Sequence, residues 1–470
     1  MRRIFFGIIM SAFLIIGIGS LIIFKNYSDT LTLQHDTGAS GYAGSVPEID
    51  EDYLHFYGLD DFETTLPVLY INTDNEMING ENNVWTSISI LNSENDGKLH
   101  SITEKSDLTI PAKVKYRGAS SRNFEKKQFK AEFYKKKGKN GTYDYDLFGM
   151  GAASEWVLNG PFLDKTLMRN YLVYNLAAEM MEWAPDCRFV ELFCDGKYQG
   201  VYLVVEPVSN GPGRLRLSTF GLLFGESPYI LSRDREGTDY RPLQNYGKIN
   251  GLTSNNLYID YPAGKKLSDN AILWITADIS EFERVLYSKK YNAPGSGYEN
   301  YINVDNFVDY VIINEFALNH DAGFLSTYAY KELGGKLNMA VWDYNNSFDN
   351  YQWFSVEKDR YYITETPWFE RLLKDPAFVK RVTERYHELR KTTLSNEHIE
   401  ELLNTGRTEL GDAVDRNFKI WDYTFHINLL TDDVNTKRDI ASYSDALDQL
   451  KSTITERLEF MDGHIQDIQL

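Results

Sequence analysis

The sequence predicts an α+β protein, with β-rich segments through its first half and helices filling its last hundred residues. Three observations carry that reading. Ile110, Ala112, Val114 and Tyr116 alternate with Lys113, Lys115 and Arg117, the two-residue period of a half-buried strand. Two β-runs, Ser326 to Glu332 and Lys336 to Trp342, flank Gly334-Gly335, a hairpin-turn signal. Beyond Thr364, apolar residues recur at three- and four-residue steps with Lys, Arg and Glu between them, the signature of helices buried on one face.

The β-rich half reads in order as Pro67 to Ile71, Trp85 to Leu91, Ile110 to Tyr116 and Lys127 to Phe133. Asp164 is placed to cap a helix from Lys165 to Met181, with Leu167, Tyr171, Tyr174, Ala178 and Met181 on one stripe. Arg188 to Phe193 and Tyr198 to Val205 form a second hairpin around Asp195-Gly196. A helix capped by Asn303 follows, with Val308, Ile312 and Phe316 at four-residue intervals. The closing helices are expected at Trp368 to Leu373, Pro376 to Arg390, Asn396 to Leu410 and Ser444 to Ile468, packed on the larger lobe.

At 470 residues the chain is long enough for two or three domains. Its 43% hydrophobic and 14% aromatic content excludes wholesale disorder. The net charge of −19 argues against duplex nucleic acid as a general partner and suits a basic substrate segment. Ile4 to Phe24 is an uncharged apolar run, about 31 Å long as a helix and sufficient to span a bilayer. Arg2 and Arg3 precede it, so the N-terminus is expected in the cytoplasm and the body outside, anchored by a single pass. Residues 1–25 are thus read as the anchor, 26–64 as a flexible stalk, 65–364 as the principal domain and 365–470 as a helical C-terminal part. Cys187 and Cys194, seven apart on one strand, would lie roughly 23 Å from each other, beyond disulfide reach.

The candidate site sits at the hairpin. Asn319, His320 and Asp321 leave the helix just before it, and Asp343, Asn345 and Asn346 follow it. If Gly334-Gly335 is a two-residue turn, Leu333 faces Lys336 and Ser326 lies opposite Asp343, with Cβ atoms ~5 Å apart. Two carboxylates, amides and a hydroxyl then meet at one end of a sheet. This arrangement fits phosphoryl transfer, in which one aspartate accepts the acceptor proton and another holds metal on the phosphates. Upstream, Lys127 shares strand parity with Phe129, Ala131 and Phe133, whereas Lys130 points away with Gln128 and Glu132. A lysine on an apolar face calls for an anion, which a nucleotide phosphate would supply; a snorkelling structural lysine is the alternative. Lys135 to Lys139, around Gly138 and Asn140-Gly141, reads as a solvated hairpin tip.

Asn319-His320-Asp321, Val341-Trp342-Asp343-Tyr344-Asn345 and Arg117-Gly118-Ala119-Ser120-Ser121-Arg122 together resemble the CotH (spore coat protein H) kinase family. The resemblance implies an atypical protein-kinase-like bilobal fold and transfer from ATP, with Mg²⁺ or Mn²⁺, to Ser or Thr hydroxyls of a protein. It assigns Asp321 to the acceptor hydroxyl and Asp343, Asn345 and Ser326 to the metal. Lys127, Arg117 and Arg122 are assigned to the phosphates, and Glu206 to the hinge against adenine. Glu179 would pair the phosphate lysine by the same analogy, although a solvated-face role fits its position better. The chain departs from the family pattern at Ser326, where the family has a metal-binding Asn, and at Asn345, where it has a second Asp. A non-catalytic envelope or coat assembly protein on this fold, and a carbohydrate-active envelope enzyme with paired carboxylates, are the alternatives.

Overall fold

The computed structural model describes residues 43–218, 225–234, 242–253, 256–264, 267–351, 353–426 and 440–469. The apolar run Ile4 to Phe24 lies outside them. Among the described residues no helix is long and apolar enough to cross a membrane. Ser45–Leu470 forms one compact α+β unit.

Seven strands close into a barrel. Its order is Cys187–Cys194, Lys197–Val205, Glu155–Asn159, Phe129–Phe133, Leu108–Tyr116, Val84–Leu91 and Val68–Asn72. Antiparallel pairing runs all the way round, except where Glu191 to Cys194 meet Val68 to Ile71 in parallel and close the ring. The expected alternation decides which residues fill it. Ile110, Ala112, Val114, Phe129, Ala131 and Phe133 are buried, while Lys113 and Lys130 lie outside between them. The Asp195-Gly196 hairpin is thereby part of the barrel, with Cys187 and Cys194 unpaired at the two ends of one strand.

A second, four-stranded antiparallel sheet has the order Asn256–Tyr261, Tyr229–Asp234, Thr327–Lys331, Leu337–Ala340. Its first two strands were not anticipated, nor was the helix Asp269–Leu286, capped by Ser268. That helix was legible, because Ile275, Ile279, Phe282 and Leu286 recur at four-, three- and four-residue steps and are all buried. The helix Val304–Phe316 is capped by Asn303 as expected, and its residues are almost all buried. Its Glu315 is held in a buried ion pair with Arg457 at 2.7 Å and also accepts the Tyr362 and Ile363 N–H groups.

Two expectations are corrected. The stretch read as a stalk up to residue 64 is held from Ser45 onward, where the Ser45 N–H donates to Ser106 Oγ and its hydroxyl meets that of Ser89. Asp50 caps a short helix, Glu51–Phe56, and Leu54, Leu59 and Phe62 bury beside Phe193 and Tyr198 on the barrel. The Asp50 N–H donates to the Gly196 carbonyl and Tyr53 Oη to the Tyr198 carbonyl, so hydrogen bonds hold it together with those apolar contacts. The C-terminal helices also do more than cover the helical part. Ala413–Trp421, not anticipated, lies on the barrel, where Arg416 pairs with the fully buried Glu191 at 2.9 Å. Beside it, Asn396–Leu410 crosses the helix Arg169–Met180 so closely that a Cβ at Gly406 would fall 2.8 Å from the Tyr171 ring.

Candidate functional site

The helix Val304–Phe316 ends at Ala317, and the chain turns through Leu318 in the left-handed region (φ 50°). Asn319 stays buried, its side chain donating to Asn314 Oδ1 at 3.0 Å, and Tyr344 Oη donates to the same oxygen. This ties the Asn319-His320-Asp321 turn to the strand exit at Trp342-Asp343. His320 is enclosed by the rings of Tyr351, Phe354 and Tyr362, and burial lowers its pKa, so it packs as a neutral ring. Asp321 instead lines a cavity shared with Ser326, Asp343, Asn345 and Asn346.

Ser326 reaches that cavity by a different route from the one expected. The hairpin pairs Tyr328 with Ala340 and Lys331 with Leu337, one residue out of the register a two-residue Gly334-Gly335 turn would set. The turn begins at Glu332, whose carbonyl accepts the Gly335 N–H at 2.9 Å. A one-residue slip should send Ser326 to the opposite face. It does not, because Ser326 (φ 47°) and Asp343 (φ 61°) have both left the ladder in left-handed backbone. Such strain at non-glycine residues is concentrated where the surroundings enforce it, commonly at functional sites.

Asp343 is fixed from below by the helix Arg169–Met180. Its N–H donates to Tyr174 Oη at 3.1 Å, and burial raises the Tyr174 pKa, so that phenol stays neutral. Beside it runs a directional chain. The Tyr344 N–H donates to Asn170 Oδ1 at 2.7 Å, and Asn170 Nδ2 donates to Asn345 Oδ1 at 2.9 Å. Asn345 Nδ2 then donates to Asp343 Oδ1 at 2.6 Å. A backbone N–H can only donate, so it fixes the orientation of every amide after it. Asn345 therefore presents its NH₂, not its oxygen, to Asp343. Expected as a metal ligand beside Asp343, Asn345 stands here as a hydrogen-bond donor to that carboxylate.

Opposite the aspartates lies the turn Arg117 to Ser121. Gly118 has φ 94°, and a Cβ there would fall 1.9 Å from Ser121 Oγ, so the turn requires glycine. Arg117 leaves the barrel strand with its guanidinium 5.4 Å from the Trp342 ring centroid, and Nη1 donates to Gln128. Phe124 and Phe162, stacked at 5.2 Å, complete that wall. Two further carboxylates line the cavity, Asp234 and Asp164. Asp164 is buried and accepts from Thr166 and from Arg169, whose guanidinium is 2.6 Å away, so it anchors the helix start rather than facing a ligand.

The other phosphate and hinge candidates lie elsewhere. The strand begins only at Phe129, so Lys127 does not inherit its parity; Nζ donates to the Arg122 carbonyl at 2.7 Å. It supports the turn from behind and does not line the cavity. Arg122 is exposed and packs against Gly80. Of the adjacent pair the buried one is Lys126, 2% exposed, donating to Asn417 Oδ1 at 2.7 Å. Glu206 is enclosed with Arg214 in a buried ion pair and accepts the Asp186 N–H, while desolvation lifts its pKa to about 7. Its side chain is committed to the fold. Glu179 pairs with His398 at 2.8 Å, not with a lysine.

Sequence reading missed Asn170 and Asp234. Asn170 was concealed in a helix judged by its apolar stripe alone. A polar Arg169-Asn170 pair opening an otherwise buried helix was the available signal.

The groups lining the cavity include three hard-oxygen donors, the Asp321 and Asp343 carboxylates and the Ser326 hydroxyl, while Asn346 turns its Nδ2 toward Asp321 at 3.4 Å. Among the described residues no three His, Cys, Asp or Glu side chains converge on one point. This set fits Mg²⁺ or Mn²⁺, which take one or two carboxylates and fill the remaining positions with water and phosphate oxygens. It does not suit zinc.

Over 257 residues the chain is 24% identical to Inner spore coat protein H of Bacillus subtilis (strain 168). The alignment covers 53% of this chain and 62% of that protein's length. Residues 114–461 match the family described as CotH kinase protein. That span begins after the strands Val68–Asn72 and Val84–Leu91, which nonetheless close the barrel. It contains the glycine turn, the Asp321 turn and the Asp343 strand exit, the three segments that meet at the cavity, and the chain belongs to the CotH kinase protein family.

Proposed function

We propose that this protein is an atypical protein kinase, transferring the γ-phosphoryl group of ATP to Ser or Thr hydroxyls of a protein substrate. The observation that carries the reading is that Asp321 and Asp343, delivered by a helix exit and a strand exit, line one cavity facing a glycine-requiring turn. We read the barrel and the helical part as the two lobes of a kinase-like fold, with nucleotide between them.

Asp343, with Ser326 nearby, would hold Mg²⁺ or Mn²⁺, which when bound neutralises charge on the phosphates. The backbone and hydroxyls of Gly118 to Ser121 and the Arg117 guanidinium would receive the phosphate oxygens. Asp321 would orient the acceptor hydroxyl and take its proton. The acidic surface complements a basic acceptor segment. We further infer a single-pass membrane anchor at Ile4 to Phe24, with the body outside.

One observation favours a second reading, that of a coat or envelope assembly protein that binds nucleotide without transferring phosphate. Asn345 turns its NH₂ toward Asp343 where the family pattern places a carboxylate, so the metal site carries less charge. The decisive experiment incubates the soluble body with ATP and Mg²⁺ or Mn²⁺ and a Ser-rich basic peptide, with mass spectrometry counting added phosphates. Phosphopeptide that vanishes with Asp321→Asn supports the kinase. Saturable binding of ATP without transfer supports the assembly protein, and absence of both ends the nucleotide reading.

A further inference from the structure

The charge of this chain is unevenly placed. Residues 108–140 carry eleven Lys or Arg against two Glu, a net of +9, so the remainder carries −28 of the total −19. The fold concentrates that excess on one side of the barrel. On the strand Leu108–Tyr116 the inward residues are apolar, which leaves Lys113 and Lys115 on the outer face. The neighbouring strand sets Lys130 directly opposite Lys115. At its far end, Tyr134 pairs back to Thr142 and its N–H bonds to the Pro111 carbonyl, which fixes the Lys135 to Lys139 tip at the other end of the same face.

Carboxylates on this face are few and already engaged. Glu155 pairs with Lys130 at 2.7 Å, Asp74 pairs with Lys137, and Glu132 accepts from Tyr134 Oη. Lys113 lies over the rings of Trp85 and Tyr134, at 4.6 and 4.8 Å from their centroids. Among the described residues, Lys113, Lys115, Lys136 and Lys139 enter no ion pair. Placing like charges directly across a ladder is unfavourable, and on a molecule this acidic the local positive field attracts only anionic partners.

The direction of the face gives the partner. The strand carrying Lys113 and Lys115 continues into Arg117, which lines the cavity beside the aspartates. From Pro111 to Arg117 is about 20 Å at 3.3–3.4 Å per residue. A lysine column thus leads away from the place where phosphate would be transferred. We propose that this face, built on Lys113, Lys115, Lys136 and Lys139, docks phosphoserine-bearing segments of the substrate after they leave the cavity, holding the chain for further additions. The inference rests on the kinase reading. Lysines here act as point charges for phosphate and not as bidentate readers, so docking is sequence-tolerant and salt-sensitive.

Docking is measured without nucleotide, so that it stands apart from catalysis. A fluorescent Ser-rich peptide and its synthetic tetraphosphoserine form are titrated with the soluble body at low and high salt. The phosphorylated form should bind at least tenfold tighter at low salt. Lys113→Glu/Lys115→Glu and Lys136→Glu/Lys139→Glu should each remove most of that preference while melting as the parent does. In the transfer assay these variants should add the first phosphate at the parental rate and accumulate fewer multiply phosphorylated products. Equal binding of the two peptides, or charge reversals that leave the preference intact, overturns the proposal. So does inorganic polyphosphate binding that outcompetes the phosphopeptide at equal phosphate concentration, which would mark a general polyanion surface. A phosphopeptide preference without any transfer would sink the kinase reading while leaving the anion-docking face in place.

Discussion

Asn170 and Asn345 meet amide to amide, with Asn170 Nδ2 donating to Asn345 Oδ1 at 2.9 Å, and this contact sets which atom Asn345 turns toward Asp343. The direction originates in a single backbone N–H, that of Tyr344. Asn170→Ala would strand that buried N–H and release Asn345. A buried unsatisfied donor costs about 1–3 kcal/mol. The variant should lose stability on that scale in chemical denaturation and bind metal-ATP several-fold more weakly.

Asn345→Asp replaces the donating NH₂ with a second carboxylate beside Asp343. Asn170 Nδ2 can still donate to it, so the local geometry is retained. Without metal the two like charges repel, and the variant should melt below the parent. Added Mn²⁺ should more than restore the loss, and calorimetry should record tighter Mn²⁺ binding than in the parent.

The two aspartates should separate by role. Asp343→Asn exchanges a charged hard-oxygen ligand for a neutral one and should weaken metal-ATP binding. Asp321→Asn should leave binding nearly intact while lowering transfer by ~10²–10⁴-fold, the usual contribution of a general base. Labelled-ATP titration and single-turnover transfer, run on the same preparations, measure both. Equal loss of binding in the two variants would make Asp321 a metal ligand as well.

His320 supplies a pH dependence whose sign follows from burial. Its pKa is lowered from 6.5, chiefly by desolvation among Tyr351, Phe354 and Tyr362, with Arg360 adding to the effect. The folded state thus holds the proton less tightly than the unfolded chain. Its stabilising contribution is present above pH 6.5 and lost as the pH falls below it. His320→Phe keeps a ring in the same enclosure and removes the proton. Unfolding midpoints should therefore decline less between pH 7.5 and pH 5 in the variant than in the parent.

Lys126 and Asn417 make a different test. The Lys126 ammonium is buried against a neutral amide and two rings, Tyr202 and Trp421, and desolvation lowers its pKa. Lys126→Met, of similar length, should change stability by less than about 1.5 kcal/mol. Asn417→Leu should cost about 1–3 kcal/mol, because the Val201 N–H and the ammonium both lose their acceptor. Comparing the two by denaturant unfolding shows whether the amide or the charge holds the Ala413–Trp421 helix to the barrel.

Local pattern by itself determined a good part of this molecule. Alternation placed Ile110, Ala112, Val114, Phe129, Ala131 and Phe133 inside, because side-chain direction in a strand depends only on parity. Capping chemistry placed Asn303 before its helix, and motif spacing placed Asp321 and Asp343 together. Position along the chain also sufficed to keep Cys187 and Cys194 apart. What only the tertiary structure decided was closure, partnership and orientation. No local pattern shows that Val68–Asn72 completes a ring against Cys187–Cys194, since that depends on sheet twist summed over seven strands. Parity could not decide which of Lys126 and Lys127 is buried, because the strand begins two residues later and a helix from residue 413 covers one of them. Nor could sequence tell that Asn345 offers nitrogen and not oxygen to Asp343. That follows from a backbone N–H meeting a side chain 174 residues away, and hydrogen-bond direction is a property of the assembled network.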